Sequence, residues 1–444
     1  MVRRHDVTRR DVVKGAVVGA ASLSVAGGIP GIVSARKAPA VIQSGGTFTY
    51  WGGLIFSDAA NSLLQSTIEE WCRTNGLEPD VVMINQNETV QRVSAAVEAG
   101  TMPDCLDLGL DLALQLASTQ QITAVDDLYE TIGAAHGGWY ESVASATAPE
   151  RFGGSRVGIP FGASGNILFR RTDVLSEAGL TTAPATWQEV ADQARAAQQP
   201  PAIFGLGFSL ANVGDGNVMI STMQSYGGRI ADDAGKVVMV RSEETRAFLE
   251  WVQAAATDGI FSPGNTTWDG AGDNAAYQAG QAVFIMNTGS VHINLLDADP
   301  ELDAATGYSP LPSGPVGLIS PLNPNIRSIT TTSSNPDAAR ALLEYLAMPA
   351  FSEPYFDSAI YGPVLQGEKD FAIFSTEVHG ALKGLVENGT APAFPDTFNG
   401  AYAENSTTFA IPRMIQRLVV DGMSIDDTMA QAQSDIEAIY AKYP

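Results

Sequence analysis

Short apolar segments with the composition of β-strands alternate along this chain with segments that have the apolar spacing of amphipathic helices. In the first part, residues 47–51, 81–84 and 105–108 are strand-like. A helix capped by Asp58 and a helix over residues 88–98 are predicted between them. Such alternation favours βαβ units on a parallel sheet. The sequence therefore predicts an α/β fold.

The same alternation returns after residue 160. Further strands are predicted at residues 165–169, 203–208 and 282–286. Thr186 is predicted to cap a helix, with Glu189 closing a capping box. The other predicted helices span residues 243–257, 274–279, 336–348, 411–420 and 425–441. A chain of 444 residues is expected to form two lobes or more.

The N-terminus has the features of an export signal. Arginines at positions 3, 4, 9 and 10 precede an uncharged run over residues 15–33, and residues 8–14 resemble a twin-arginine signal. The alternative is a membrane anchor, but the glycines and the proline of the run favour cleavage, near residues 33–35 or 38–40. The apolar run does not end in a lipid-attachable Cys. We predict that residues 1–40 are signal and lead, and that the mature protein is soluble and periplasmic or extracellular.

Composition narrows the function. The chain is 45% hydrophobic and 17% charged, enough for large cores, and its formal net charge is −24. Such a charge repels nucleic acid and anionic membranes, so no nucleic-acid partner is expected.

Export permits a disulfide between Cys72 and Cys105, but two buried unpaired thiols are the favoured interpretation.

Motifs for metal, nucleotide or nucleophile chemistry are missing from the sequence. The four histidines are scattered, and there is no HExxH, CxxC or P-loop, so neither a metal site nor a cofactor is expected. Residues 162–165 are one residue short of the GxSxG motif. With 49 Asp and Glu residues, a glycosidase pair cannot be recognised from the sequence.

Aromatic, carboxylate and amide residues follow several predicted strands. They are Trp51, Asp111, Trp268, Asp269, Asn287 and Ser290. In open α/β sheets, ligands bind beyond the carboxyl ends of the strands. There an aromatic face can pack on a sugar ring, and Asp or Asn can satisfy its hydroxyls. For each Trp, ordinary core packing is the alternative.

Seven short motifs occur in an order that is typical of one family. They lie at residues 99–104, 158–162, 169–175, 184–189, 277–287, 335–340 and 361–364. From about residue 46 to residue 440 the sequence resembles the extracellular solute-binding proteins of family 1, the maltose-binding-protein-like sugar receptors of ABC importers. The resemblance implies a periplasmic-binding-protein type II-like fold. Two α/β lobes would enclose a ligand cleft, joined by three hinge crossings that close on the ligand.

The resemblance also suggests boundaries for the lobes. We expect lobe I to comprise residues 41–157 plus 309–352, and lobe II to comprise residues 158–308 plus 353–444. The candidate crossings are residues 157–163, 308–314 and 349–356.

Matched position by position, the resemblance places ligand contacts on the following residues: the loop after Trp51, Leu108, Asp111, Ser164, Asn212, Trp268, Ser290 and Phe409. Ser164 stands where malto-oligosaccharide members have an acidic residue, and Leu112 where they have Arg. Leu108, Ser290 and Phe409 replace Trp. The thinner aromatic platform disfavours maltodextrin as the ligand. Arg327 could reach the cleft, although a structural ion pair is the favoured role.

The leading hypothesis is a monomeric, non-enzymatic receptor that binds a sugar or polyol and delivers it to the permease of an ABC importer. An alternative keeps the fold and changes the ligand to a polyamine, organophosphate or other small solute. A third hypothesis is a secreted glycoside hydrolase, which requires two facing carboxylates about 5–10 Å apart.

Overall fold

Nine strands form two sheets in the part of the chain that the computed structural model describes, residues 45–55 and 57–443. The strands are β1 (Thr47–Leu54), β2 (Glu78–Asn85), β3 (Cys105–Leu108), β4 (Ile159–Ser164), β5 (Ile167–Arg171), β6 (Phe204–Leu206), β7 (Ala282–Asn287), β8 (Thr306–Ser309) and β9 (Asn323–Ile329). The predicted signal, residues 1–40, lies outside the described residues.

Eighteen α-helices accompany the strands within the same residues. They are α1 (Asp58–Thr74), α2 (Gln86–Ala99), α3 (Leu110–Ser118), α4 (Asp126–Ala135), α5 (Glu141–Ala146), α6 (Thr172–Glu177), α7 (Trp187–Ala197), α8 (Val218–Ser225), α9 (Glu243–Thr257), α10 (Gly272–Gln278), α11 (Ser290–Ala298), α12 (Pro300–Ala304), α13 (Pro336–Leu346), α14 (Pro349–Ser358), α15 (Glu377–Asn388), α16 (Gly400–Thr407), α17 (Ala410–Val419) and α18 (Ile425–Tyr440). The α/β class is confirmed.

Two predicted helix caps can be compared with the structure. The capping box of α7 is confirmed, because Thr186 Oγ1 accepts the Glu189 N–H and Glu189 Oε2 accepts the Thr186 N–H. The predicted Asp58 cap is wrong. Ser57 Oγ accepts the Ala60 N–H at 3.2 Å, and Asp58 lies in the first turn of α1. A Ser one position earlier makes this bond because an N-cap residue needs extended backbone, which Ser57 has.

The first sheet has the order β2-β1-β3-β9-β4. β1 runs parallel to β2 and β3, as the βαβ pattern predicts, whereas β9 runs antiparallel to β3 and β4. The second sheet has the order β6-β7-β5-β8, with β5 antiparallel to both of its neighbours. The sheets are therefore mixed rather than wholly parallel, because strands from distant parts of the chain join them.

The chain passes directly from one sheet to the other. It leaves the first sheet after Ser164, enters the second at Ile167, and returns between Ser309 and Asn323. Because Ser164 pairs with Asn323, the two passages lie side by side. The strand predicted at 165–169 thus begins at Ile167, since residues 165 and 166 form the first passage.

Apolar side chains pack in layers on both sides of the sheets. β7 is buried along its whole length, with Ile285 in one core cluster and Phe284 in another. Successive side chains of a strand point to opposite faces, so a strand covered on both faces carries a continuous apolar run. Helices α1, α14 and α15 contribute to the first of these clusters, and α9, α17 and α18 to the second.

Cys72 and Cys105 are both buried free thiols. Burial raises the pKa of Cys72 to about 11, and burial also raises the pKa of Cys105 well above its ordinary value. The interpretation of two buried unpaired thiols agrees with this arrangement.

None of the helices within the described residues combines the length and apolarity needed to cross a membrane.

Candidate ligand-binding cleft

Three adjoining cavities form one continuous cleft between the two sheets, with volumes of about 370, 530 and 210 Å³. The first and second cavities share Asp111 and Phe398. The third cavity shares Asn325 and Tyr361 with the first, and Ser164 with the second. Ligand pockets in proteins commonly measure about 300–1,000 Å³. The cleft is therefore large enough for a small-molecule ligand.

The ends of β1 and β3 build one wall of the first cavity. Gly53 and Leu54 are the last two residues of β1, and Leu108 is the last residue of β3. Asp111 lies in the first turn of α3. Within the described residues, the Asp111 carboxylate has no hydrogen-bond or ion-pair partner. Burial raises its pKa. The carboxylate is therefore available to a ligand that donates hydrogen bonds.

The opposite wall belongs to the second cavity and is rich in amides and hydroxyls. It includes Asn217, Ser221, Thr288, Ser406 and Thr407. Asn217 Nδ2 donates to the Ser406 carbonyl at 3.0 Å, while Asn217 Oδ1 is buried without a partner among the described residues. A buried acceptor without a partner is costly, and a ligand hydroxyl could satisfy it.

The base of the cleft is the place where the two passages meet. Ser164 Oγ donates to the Asn323 carbonyl at 3.1 Å, and the side chains of Asn323 and Asn325 lie on β9. Asn323 lines the first two cavities and Asn325 lines the first and third. Polar groups on the connecting strands would thus contact any ligand that fills the cleft.

Aromatic rings line the same space. Phe161, Tyr361 and Phe398 line the first cavity. The rings of Phe161 and Tyr361 meet edge to face, with centroids 6.1 Å apart and an interplanar angle of 89°. The Arg327 guanidinium lies 3.9 Å from the centroid of the Phe161 ring. Aromatic rings in such a place can pack against the apolar face of a sugar.

A buried ion pair fixes the end of β1 next to the first cavity. Tyr50 donates its hydroxyl hydrogen to Asp107 Oδ1 at 2.5 Å, and Arg327 Nε lies 3.4 Å from the same oxygen. Asp107 Oδ2 accepts the Gly53 N–H at 3.2 Å. Burial raises the pKa of Asp107, and Arg327 opposes that rise. The structural ion pair predicted for Arg327 is present, and it fixes the end of β1 beside the cleft.

Arg151 is the one Lys or Arg of the described residues that lines any of the three cavities. It ends the short 3₁₀ turn Pro149–Arg151 that follows α5. Burial lowers the pKa of its guanidinium. No three His, Cys, Asp or Glu side chains of the described residues are grouped in the manner of a metal site.

Four of the predicted ligand contacts line the cleft: Leu108, Asp111, Ser164 and Ser290. Asn287 lies behind Ser290, where its Oδ1 accepts the Ser290 hydroxyl hydrogen at 3.1 Å. Asn287 therefore positions the start of α11. It is not among the residues that line the three cavities, and its contact with a ligand stays a prediction.

The remaining predicted contacts lie outside the residues that line the three cavities. Trp51 packs on a further core cluster, which includes Val93 and Leu106, and lies beneath the Arg92 guanidinium. Asn212 Nδ2 donates to Gln416 Oε1 at 2.8 Å, and Asp269 Oδ1 accepts the Ala271 N–H. Trp268 packs against the first core cluster. Phe409, with φ of 57°, immediately precedes α17. Ligand contacts by these five residues stay predictions.

Several cleft residues were not predicted as ligand contacts. They are Phe161, Asn323, Asn325, Tyr361, Phe398 and Tyr402. Phe161 and Tyr361 belong to motifs that carry the family resemblance, which is a signal that sequence reasoning could have used. Asn323 and Asn325 reach the cleft only because β9 pairs with β4, a contact between distant parts of the chain.

Residues 69–383 match the family described as "Bacterial extracellular solute-binding protein". A Deinococcus radiodurans protein named "Probable ABC transporter-binding protein" is 26% identical over 271 residues, which are 58% of this chain and 63% of that protein. The chain thus matches somewhat less than two thirds of the length of this curated relative.

Solved structures share the fold over most of the chain. A maltose-bound protein of T. maritima has a TM-score of 0.69 at 20% identity, covering 89% of this chain and 100% of its own. The sugar-binding protein MalE of Xanthomonas citri has a TM-score of 0.71 at 19% identity, with coverage of 89% and 98%. A solute-binding protein of Agrobacterium radiobacter in complex with ribitol has a TM-score of 0.71 at 16% identity, with coverage of 89% and 99%. These likenesses confirm the expected type II-like fold.

Proposed function

This chain belongs to the bacterial extracellular solute-binding proteins, and we propose that it binds a sugar or sugar-like polyol outside the cytoplasmic membrane and delivers it to the permease of an ABC importer. The observation that carries the proposal is the continuous cleft, in which aromatic rings face amide, hydroxyl and carboxylate groups. Such a lining suits a ligand with an apolar ring face and many hydroxyls. The relatives that bind maltose and ribitol support the same ligand class.

The polar groups of the cleft have distinct roles in this proposal. Asp111 accepts hydrogen bonds from ligand hydroxyls on the first-sheet side, and Asn217 Oδ1 accepts one on the opposite side. Ser164 and Asn325 contact the ligand at the base of the cleft. Because each buried hydroxyl must find a partner, the pattern of these groups would decide which sugar fits. The protein needs no covalent chemistry for this task.

Closure of the cleft would accompany binding. We place the lobes at residues 41–157 plus 309–352 and at residues 158–308 plus 353–444, as the resemblance implies. A ligand that contacts both walls only when the lobes are shut stabilises the closed state by the difference in its affinity for the two states. The exported protein would work as a monomer and present its closed form to the permease.

A thermal-shift screen of the purified protein tests the proposal. The screen compares neutral mono- and disaccharides, polyols, polyamines and sugar phosphates. A ligand at a hundred times its Kd should stabilise the protein by about 2.7 kcal/mol, which is a shift of a few degrees. A response to a sugar or polyol supports the proposal. A response to polyamines alone would move the ligand to another chemical class.

A further inference from the structure

The charge of Arg151 is only partly compensated within the described residues: burial lowers the pKa of its guanidinium, and the neighbouring Glu150 carboxylate opposes that shift without reversing it. Its Nε donates to the Ser145 carbonyl at 3.1 Å. Within residues 45–55 and 57–443, no protein atom accepts a hydrogen bond from its two terminal nitrogens, and no carboxylate forms an ion pair with it. Arg151 is half-buried and lines the first cavity beside Leu112 and Phe152.

Other partly buried arginines of this protein have partners that offset the cost of burial. Arg229 pairs with Asp396 and Arg417 with Asp435. Arg156 donates to the Thr147 carbonyl and hydroxyl and stacks 4.0 Å from the Tyr129 ring centroid. Partial burial of an uncompensated charge is costly. In a chain with 49 acidic residues, the missing partner is not explained by a shortage of carboxylates.

We propose that the ligand carries an anionic group, a carboxylate, which binds the two terminal nitrogens of Arg151, so that the protein is a receptor for a sugar acid. This inference rests on the proposed function, because it adds a charged group to the sugar or polyol. A guanidinium presents parallel N–H donors that match a carboxylate in two-point contact. With Nε engaged by Ser145, the edge formed by the terminal nitrogens remains for the ligand.

The arrangement also orients the ligand. Arg151 lines only the first cavity, whereas Asp111 is shared by the first and second. The two side chains form no ion pair, and burial alone accounts for the raised pKa of Asp111. The carboxylate of the sugar acid would thus lie in the first cavity, and its hydroxyls would extend past Asp111 toward the amides of the second. A single guanidinium suits a singly charged carboxylate better than a phosphate ester, which carries more charge.

The test compares matched ligands by isothermal titration calorimetry. Each neutral sugar or polyol is paired with the corresponding sugar acid, and sugar phosphates form a third series. The proteins are the wild type, Arg151→Gln, Arg151→Lys and Arg241→Gln. Arg241 is exposed, makes no ion pair in the described part of the chain and lines none of the three cavities, so its variant is the control for the loss of one positive charge.

We expect the wild type to bind a sugar acid at least tenfold more tightly than its neutral parent, as loss of a charge-assisted hydrogen bond is worth about that much. Arg151→Gln should lose this preference, because it weakens binding of the acid far more than binding of the neutral parent, and Arg241→Gln should keep the preference. Arg151→Lys should lose part of the preference, because it retains the charge without the two-point contact. If Arg151→Gln does not fold, the partial loss of the preference in Arg151→Lys tests the inference in its place.

Four results would overturn the inference, and the last would overturn the proposed function as well. Equal preference for sugar acids in the wild type and in both Arg151 variants would remove Arg151 from the site. Tight binding of a neutral sugar without any preference for its acid would reject the anionic ligand and leave the proposed function standing. A preference for the phosphate series would replace the carboxylate by another anion. Absence of binding in all series would overturn both the inference and the proposed function.

Discussion

Asp111 is the carboxylate that the first and second cavities share, so the proposed function depends on it. We predict that Asp111→Asn weakens sugar or polyol binding by about 1–3 kcal/mol, because hydrogen bonds to a charged acceptor are lost. Calorimetric affinity measures the change. Asp58→Asn is the matched control, since Asp58 is also an exposed residue in the first turn of a helix but lines none of the three cavities. Equal affinities of both variants and the wild type would exclude Asp111 from the site.

Glu368 is a buried carboxyl outside the cleft that should make stability depend on pH. Its Oε2 accepts the N–H groups of Val364 and Leu365 at 2.8 and 2.9 Å, yet burial raises its pKa to about 7. The folded protein thus binds this proton more tightly than the unfolded chain, whose pKa for Glu is about 4.3. The contribution of Glu368 to stability is greatest below pH 4, and it falls as the pH rises through 7.

In the wild type, this pH dependence should cost about 3–4 kcal/mol of stability between pH 4 and 8. We predict that Glu368→Gln abolishes most of this loss, since a neutral amide oxygen can accept the same two bonds. Denaturant unfolding at several pH values measures this difference. Glu98→Gln, at an exposed position on α2, serves as the control. A wild type and a Glu368→Gln variant with parallel pH profiles would contradict the prediction.

At the scale of the elements, Gly165 lies in the first passage between the sheets and packs closely against the second passage. A Cβ at this position would be 2.7 Å from the Pro321 carbonyl oxygen and 2.8 Å from a Leu385 methyl group. We predict that Gly165→Ala destabilises the protein by about 1–3 kcal/mol, because the opposing backbone must move. The midpoint of denaturant unfolding measures the effect.

Gly380, inside α15, provides the matched control for that substitution. A Cβ there would meet its nearest atom, the Phe374 carbonyl oxygen, at an ordinary 3.5 Å. Ala is favoured over Gly in a helix interior, so Gly380→Ala should stabilise the protein by about 0.5–1 kcal/mol. If the unfolding midpoint shifts in the same direction in both variants, the close contact at Gly165 does not explain the effect of Gly165→Ala.

The elements that sequence reasoning predicted well are those with local signals. α9 was predicted at its observed bounds, residues 243–257, and the structure shows that Ser242 caps it. The α7 capping box was predicted from Thr186 and Glu189. In contrast, α15 was not predicted, because Gly380 and Gly384 weaken its helical pattern. Packing against β8 and α5 compensates for that weakness.

The cleft was less accessible to sequence reasoning than the fold. Asp111 follows β3, and Ser164 is the last residue of β4. Asp111 was predicted both from its place after a strand and from the family resemblance, whereas Ser164 was predicted from the resemblance alone. Asn323 and Asn325 lie on β9, whose register against β3 pairs Arg327 with Asp107 across more than two hundred residues. No spacing along the chain encodes that pairing, and the residues it brings to the cleft therefore became visible only in the structure.

At the scale of the whole molecule, the proposed function requires the two lobes to close around a ligand. The walls of the second cavity come from elements on either side of the passages: Asp111 and Ser164 from one side, Asn217 and Ser406 from the other. A ligand bound to both sides stabilises the closed arrangement, because it makes the full set of contacts only there. The connecting passages would act as the hinge.

We predict that a saturating ligand lowers the radius of gyration of the protein, as measured by small-angle X-ray scattering. A sugar that causes no thermal shift, added at the same concentration, controls for changes in solvent contrast. Asp111→Asn should need more ligand to reach the same compact state, since its weaker affinity lowers the occupancy and not the final geometry. A saturated protein whose scattering equals that of the ligand-free protein would show that binding occurs without closure, and delivery to a permease would then need a different signal of occupancy.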